Sequence, residues 1–227
     1  MSLMSLYQEM SDEDKASLGK GSSKINVSGC HLVTVESLMV IDDSRVKAEF
    51  KNASGQTAEW VGFLTSKDPS KQEAVTSRVM GVIKQLCIAA GLSMEKVLAK
   101  STIGSVTYKS GSVPTEEYPL LKGKKLYITT TTELEADQKD ANKVWLHQVI
   151  DPYKFFDTKK RNGLEISSEA DEGTTMEAAD AEAKTKVEIS WQSRSNAACV
   201  AKLAQMQSGV VTDTAAGSTD EIADDDI

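Results

Sequence analysis

Apolar and polar residues alternate with a period of two in three successive stretches near the start of the chain. Residues 28–41 are rich in β-branched and apolar side chains, Asp42, Asp43 and Ser44 supply turn chemistry, and residues 45–51 alternate cleanly. A second turn at 52–55 leads into residues 56–65, where Ala58, Trp60, Gly62 and Leu64 oppose Glu59, Val61 and Phe63. Three consecutive antiparallel strands are predicted. The period then lengthens. Asp68 followed by Pro69 is a cap with proline at the first helical position, while Ser70 and Glu73 offer a competing capping box. Val75, Val79, Val82, Ile83, Leu86 and Ala90 fall on one helical stripe before Gly91. A short second helix is predicted over 94–99, capped by Ser93.

Residues 103–121, with scattered Gly, Ser and Pro and with Tyr108 and Tyr118, read as a loop too long to be idle. Strands are predicted over 124–134 and 142–150, followed by an aromatic and basic stretch from Tyr153 to Arg161. The order strand, strand, strand, helix, strand, strand is that of a mainly β fold. It matches a five-stranded OB-type Greek-key barrel with a helix between strands 3 and 4. Small barrels of several kinds share that order, and fold alone does not fix function. The expected organisation is a flexible arm (1–23), the barrel domain (24–166), a flexible acidic linker (167–189), a short amphipathic helix (190–208) and an acidic tail (209–227).

Charge changes the picture. The 227 residues carry a net charge of -8, which by itself argues against a nucleic-acid partner. From residue 166 onward, however, thirteen acids face four bases, so a net -9 sits there and residues 1–165 carry +1. The body is balanced. The final stretch, with Asp220, Glu221, Asp224, Asp225, Asp226 and Ile227, reads as a solvated interaction peptide available to a cationic surface.

Cys30, Cys87 and Cys199 are odd in number and far apart, and no secretory signal or long apolar run occurs. A cytoplasmic protein without a membrane partner is therefore expected. Catalytic and metal motifs are absent. The segment from Gly19 to Ser23 lacks the spacing of a phosphate loop, and His31 and His147 have no ligand-spaced companions apart from Cys30 beside His31. No enzyme, cofactor or metal is expected.

Ten of the twelve aromatic residues lie between Phe50 and Phe156, interleaved with lysines. Rings that stack bases beside cations that neutralise phosphates are the chemistry of single-strand binding. The candidates are Lys51, Trp60, Lys67 and Lys71; Tyr108, Lys109 and Tyr118; Lys122, Lys124, Lys125 and Tyr127; Trp145; and Tyr153, Lys154, Phe155, Lys159, Lys160 and Arg161. For each ring the alternative is core packing, and for each cation a solvated surface.

With its strand order over about 140 positions, its lysine and aromatic interleaving and its Asp224-Asp225-Asp226-Ile227 ending, the chain resembles the single-stranded DNA-binding proteins of bacteria and, more closely in layout, of tailed phages. The resemblance implies sequence-nonspecific binding of single-stranded DNA in replication, recombination or repair. It also implies an acidic tip that recruits partner proteins and competes with DNA. The tip departs from the family's usual final phenylalanine by ending in Ile227. An interaction adaptor that binds no DNA and a strand-annealing accessory are the rival readings, and self-association stays open.

Overall fold

The computed structural model describes residues 24–108, 111–168 and 173–208. The arm 1–23, Lys109 and the acidic tip lie outside the described residues. The elements in chain order are β1 (Gly29–Ile41), β2 (Arg45–Asn52), β3 (Thr57–Phe63), α1 (Gln72–Ala89), α2 (Met94–Leu98), β4 (Thr102–Tyr108) and β5 (Gly111–Glu117). They continue with β6 (Lys125–Ala136), β7 (Val144–Phe156), α3 (Gly163–Ser168), α4 (Met176–Thr185), β8 (Val187–Ile189) and α5 (Ala197–Gln207). The fold is mainly β. Among the described residues two compact units form: one runs to Glu133 and includes Leu146–Glu188, the other joins Leu134–Trp145 to residues 189–208.

Eight strands form an open antiparallel sheet rather than a closed five-stranded barrel. One path runs β3-β2-β1-β5-β4, and β6 branches from β1 to pair with β7 and β8. Closure fails because β3 pairs with β2 alone among the named strands, and β7 with β6 alone. The long β1 organises the sheet. Residues 29–34 pair with β6, residues 33–41 with β2 and residues 39–41 with β5. The register against β2 shifts between Val35 and Ser37, so Glu36 is the extra residue of a bulge. Beside it the Val35 amide donates to the Lys124 carbonyl at 2.8 Å, and the Gly123 amide to the Val35 carbonyl at 2.8 Å.

The core lies where the alternation put it. Val33, Val35, Leu38, Val46, Ala48 and Phe50 of the sheet meet Val79, Val82, Ile83 and Leu86 of α1. Phe50 and Phe155 stand with ring centroids 6.4 Å apart. Asp68 caps a single 3-10 turn (Pro69–Lys71) that leads into α1, its side chain accepting from the Ser70 amide at 3.0 Å. Ser93 caps α2 by accepting from the Lys96 amide at 3.4 Å.

Gly62 is a packing requirement. A Cβ there would meet Trp60 ring carbons at 2.6 and 2.8 Å and Val79 at 3.0 Å. Overfilling such a site costs about 1–3 kcal/mol. Gly62→Ala is therefore expected to lower the urea midpoint with the slope unchanged, and an unchanged midpoint would show that the indole swings aside freely.

Three expected elements differ. Residues 103–121 are no loop: they form most of the β4–β5 hairpin and a 3-10 turn (Pro119–Leu121). The acidic linker 167–189 contains α4 and β8. Thr175 caps α4, and Met176, Ala179 and Ala183 are buried beneath it, so an apolar strip of mostly small residues orders a segment whose composition reads as flexible. The C-terminal helix starts at Ala197 rather than 190, because Asn196 caps it through the Cys199 amide at 3.0 Å.

Candidate nucleic-acid interface

Strand register decides which candidates meet. Thr57 of β3 lies opposite Lys51 of β2, Lys51 opposite Thr34 of β1, and Thr34 opposite Lys125 of β6. Residues opposite one another share a face, so Lys51 and Lys125 flank Thr34 on the sheet surface away from α1. The neighbouring row pairs Leu32 with Tyr127. Leu32 is 45% exposed and Tyr127 half-buried. Exposed Lys122 and Lys124 stand at the turn hydrogen-bonded to the bulge. A cleft of about 280 Å³ opens beside the row, lined in part by Lys24, Glu36, Lys51 and Thr57.

The face is bounded on both sides. On one, Lys47 ties Glu49 at 2.8 Å and Glu59 at 3.0 Å, Ser37 donates to Glu49 at 2.8 Å, and Lys24 stands 3.8 Å from Glu59. Hydrogen bonding to Lys47 holds the Glu49 carboxyl below its usual range. Lys47 and Lys24 thus pair with Glu49 and Glu59, while Glu36 of the bulge is a further carboxylate lining the cleft beside Lys51.

On the other side lies α4. Met176 and Ala179 pack with Phe156, against Cys30 and Tyr127. Asp180 accepts from the Cys30 amide at 2.8 Å and pairs with Lys184 at 2.6 Å. The Lys184 hydrogen bond first, then the Cys30 amide, hold the Asp180 carboxyl below its ordinary 3.8, with the charge of His31 acting the same way. A depressed folded value means stability that is present above pH 3.8 and lost as pH falls through the folded value. Asp180→Asn is expected to flatten the stability–pH profile below about pH 4. Urea midpoints across that range check it, and an unchanged slope contradicts the coupling.

Several candidates are placed otherwise. Phe155 is 2% exposed and packs on Phe50, so it is core and unavailable for stacking. Trp60 packs against the same core over Gly62, and Tyr118 against its edge. Burial, then the Glu116 carboxylate, push the Tyr118 hydroxyl up to about 12. Lys154 is bound by Glu182 at 2.8 Å and Asp151 at 3.6 Å. Burial opposes its charge, but the two carboxylates prevail and hold it above the ordinary lysine value. Arg161 donates to Asp157 at 2.7 and 2.9 Å, and Lys160 pairs with Glu177 at 3.3 Å. The basic stretch from Tyr153 to Arg161 is thus largely satisfied internally. Lys159 and Tyr153 remain exposed. So do Lys67 and Lys71, on the turn before α1, with Lys71 3.7 Å from Asp68. Tyr108 is exposed at the end of β4.

Trp145 belongs to the second unit. Its indole donates to Asp137 at 2.8 Å, and the Lys143 ammonium stands 4.1 Å from its ring centroid. The same unit exposes Trp191, at 76%, on a 3-10 turn (Trp191–Ser193). The sequence pattern puts Trp191 inside the helix expected over 190–208, and its polar flanks Ser190, Gln192 and Ser193 are the signal of its exposure. Leu32 stands in an apolar run that reads as buried on both faces, so the pattern does not mark it as exposed.

Among the described residues no cluster of three or more His, Cys, Asp or Glu is placed to hold a metal, and no helix is long and apolar enough to cross a membrane. Comparison with protein-family models and with curated proteins finds no match.

Proposed function

We propose that this chain is a sequence-nonspecific single-stranded DNA-binding protein of the phage type, acting in DNA replication, recombination or repair without a catalytic step. The observation that carries the reading is the row Lys51–Thr34–Lys125 beside the row Leu32–Tyr127. Cations along one row suit successive phosphates, and a half-exposed ring and an aliphatic side chain in the next suit unstacked bases. The strand order supports an OB-type ancestry: three strands, a helix, then β6 returning to β1 and β7 pairing with β6, with the β4–β5 hairpin inserted and the barrel left open.

In this reading Lys122 and Lys124 extend the phosphate track, and the exposed Tyr153 and Tyr108 are accessory rings. The acidic tip competes for the same cations. Its tether gives an effective concentration on the order of millimolar, so a weak contact suffices. DNA displaces the tip and frees it for replication or recombination proteins. The protein works in the cytoplasm of the cell that makes it.

Titration of a dye-labelled oligo-dT, read by its fluorescence anisotropy, tests the reading on the full chain and on a chain lacking residues 219–227. A saturable rise in anisotropy and tighter binding by the truncated chain at low salt are expected. An adaptor that binds only proteins gives no rise, and equal affinities of the two chains refute tail competition.

A further inference from the structure

The two ends of the β3-β2-β1-β5-β4 path differ in how they meet solvent. Edge strands ordinarily carry a charge, a proline or a bulge that blocks addition of another strand. At one end β3 has Glu59, held by Lys47, and its first residue Thr57 is already bridged by Lys24. At the other end β4 has none of these devices. Its residues are Thr102, Ile103, Gly104, Ser105, Val106, Thr107 and Tyr108, without charge or proline. Its register with β5 runs unbroken from Thr102 opposite Glu117 to Tyr108 opposite Gly111. The strand is exposed almost throughout, with Ile103 at 77%, and β5 is its sole strand partner among the described residues.

Gly104 adds a second observation. A Cβ there would meet only the Thr115 hydroxyl, at an ordinary 3.5 Å, so β4's own sheet does not call for glycine. Glycine within a strand often marks the close approach of another backbone.

We propose that β4 is a self-recognition edge, at which two copies of this chain pair β4 to β4, antiparallel, about a two-fold axis at Ser105. That register uses all seven residues. It sets Thr102 opposite Tyr108, Ile103 opposite Thr107 and Gly104 opposite Val106 of the second copy, each twice, with Ser105 facing itself. No charge opposes a like charge. The bare Gly104 lies between the two largest same-face side chains of the second copy, Val106 directly across and Tyr108 diagonally, and the exposed Ile103 gains a β-branched neighbour. Pairing β4 with β3 of another copy, so that the sheet continues with the same face, would be parallel, because each neighbouring pair along the path is antiparallel and the two end strands therefore run the same way. The antiparallel two-fold arrangement is the stronger pairing and closes on itself. The dimer is independent of what the Lys51–Lys125 face binds.

Size exclusion with light scattering on the full chain tests it. The wild type is expected at twice the chain mass and Ser105→Lys, which sets two ammonium groups across the axis on an exposed position, at the single mass. Ser105→Cys supplies a second readout. Directly opposed residues lie about 4.5–5.5 Å apart between Cα atoms, within the range of roughly 4.4–6.8 Å that a disulfide bridges. Under a mild oxidant it should give a covalent dimer, while Ser112→Cys, one strand inward, should not. Cys87 and Cys199 are buried and Cys30 is half-buried, which keeps background cross-linking low. A monomeric wild type, a dimer that survives Ser105→Lys, or equal cross-linking at 105 and 112 overturns the proposal.

Discussion

Replacing Lys51 and Lys125 together with glutamate is expected to lower affinity for single-stranded DNA by about 3 kcal/mol, roughly 100-fold at low salt. The two side chains flank Thr34 in one cross-strand row, so each is positioned to meet a phosphate, and reversal replaces two attractions by two repulsions. Both are exposed, so the fold should be unaffected. The salt dependence should also weaken by about 1.4 units of slope, since each phosphate contact on a single strand contributes roughly 0.7. The matching reversal of Lys67 and Lys71, on the turn before α1, should leave affinity near wild type. Equal losses from the two pairs would mean a diffuse charge effect and no defined track.

Phe50→Ala is expected to cost about 3–5 kcal/mol. Phe50 is fully buried between the sheet and Phe155, and its removal leaves a cavity that the β2 backbone, paired on both sides, cannot close. Against a total stability of about 5–15 kcal/mol, such a loss removes a large share. Phe63 is the contrast. It is the same residue type at the end of β3 but 60% exposed, and Phe63→Ala should cost under about 0.5 kcal/mol. Urea denaturation of the two variants checks the difference, and similar midpoints would mean that the core does not centre on Phe50.

The elements legible in the sequence are those whose local pattern and packing agree. β2 alternates because one face meets α1 and the other meets solvent; α1 announces itself through Asp68, Pro69 and a single apolar stripe. β4 was illegible for the opposite reason. With both faces exposed, nothing imposes alternation on it, and Gly104 and Ser105 read as loop residues. α4 was hidden by its acids: its buried strip is Met176, Ala179 and Ala183, and alanines carry little pattern. Phe155 and Phe156 show a further limit. Successive strand residues face opposite ways, which offers one of them to solvent, yet both are buried because α4 covers the second face.

The candidate site was legible in its residue types and illegible in its assembly. Lys51 and Lys125 are 74 positions apart and become neighbours only through β1, which pairs with β2 on one edge and β6 on the other. Conversely, the stretch from Tyr153 to Arg161 looked like a track because its charges are adjacent in sequence. Asp157, Glu177 and Glu182 neutralise most of it, and of these only Asp157 lies within the stretch.

In the proposed function the face carrying Lys51, Thr34 and Lys125 holds single-stranded DNA through its backbone. The direct measurement is the oligo-dT binding constant of the full chain over a series of salt concentrations, repeated with oligo-dA and with a mixed sequence. A linear fall of log K with log salt is expected, at about 0.7 per phosphate contacted and with closely similar slopes for the three oligonucleotides. Absence of binding at low salt, or binding indifferent to salt, would contradict it.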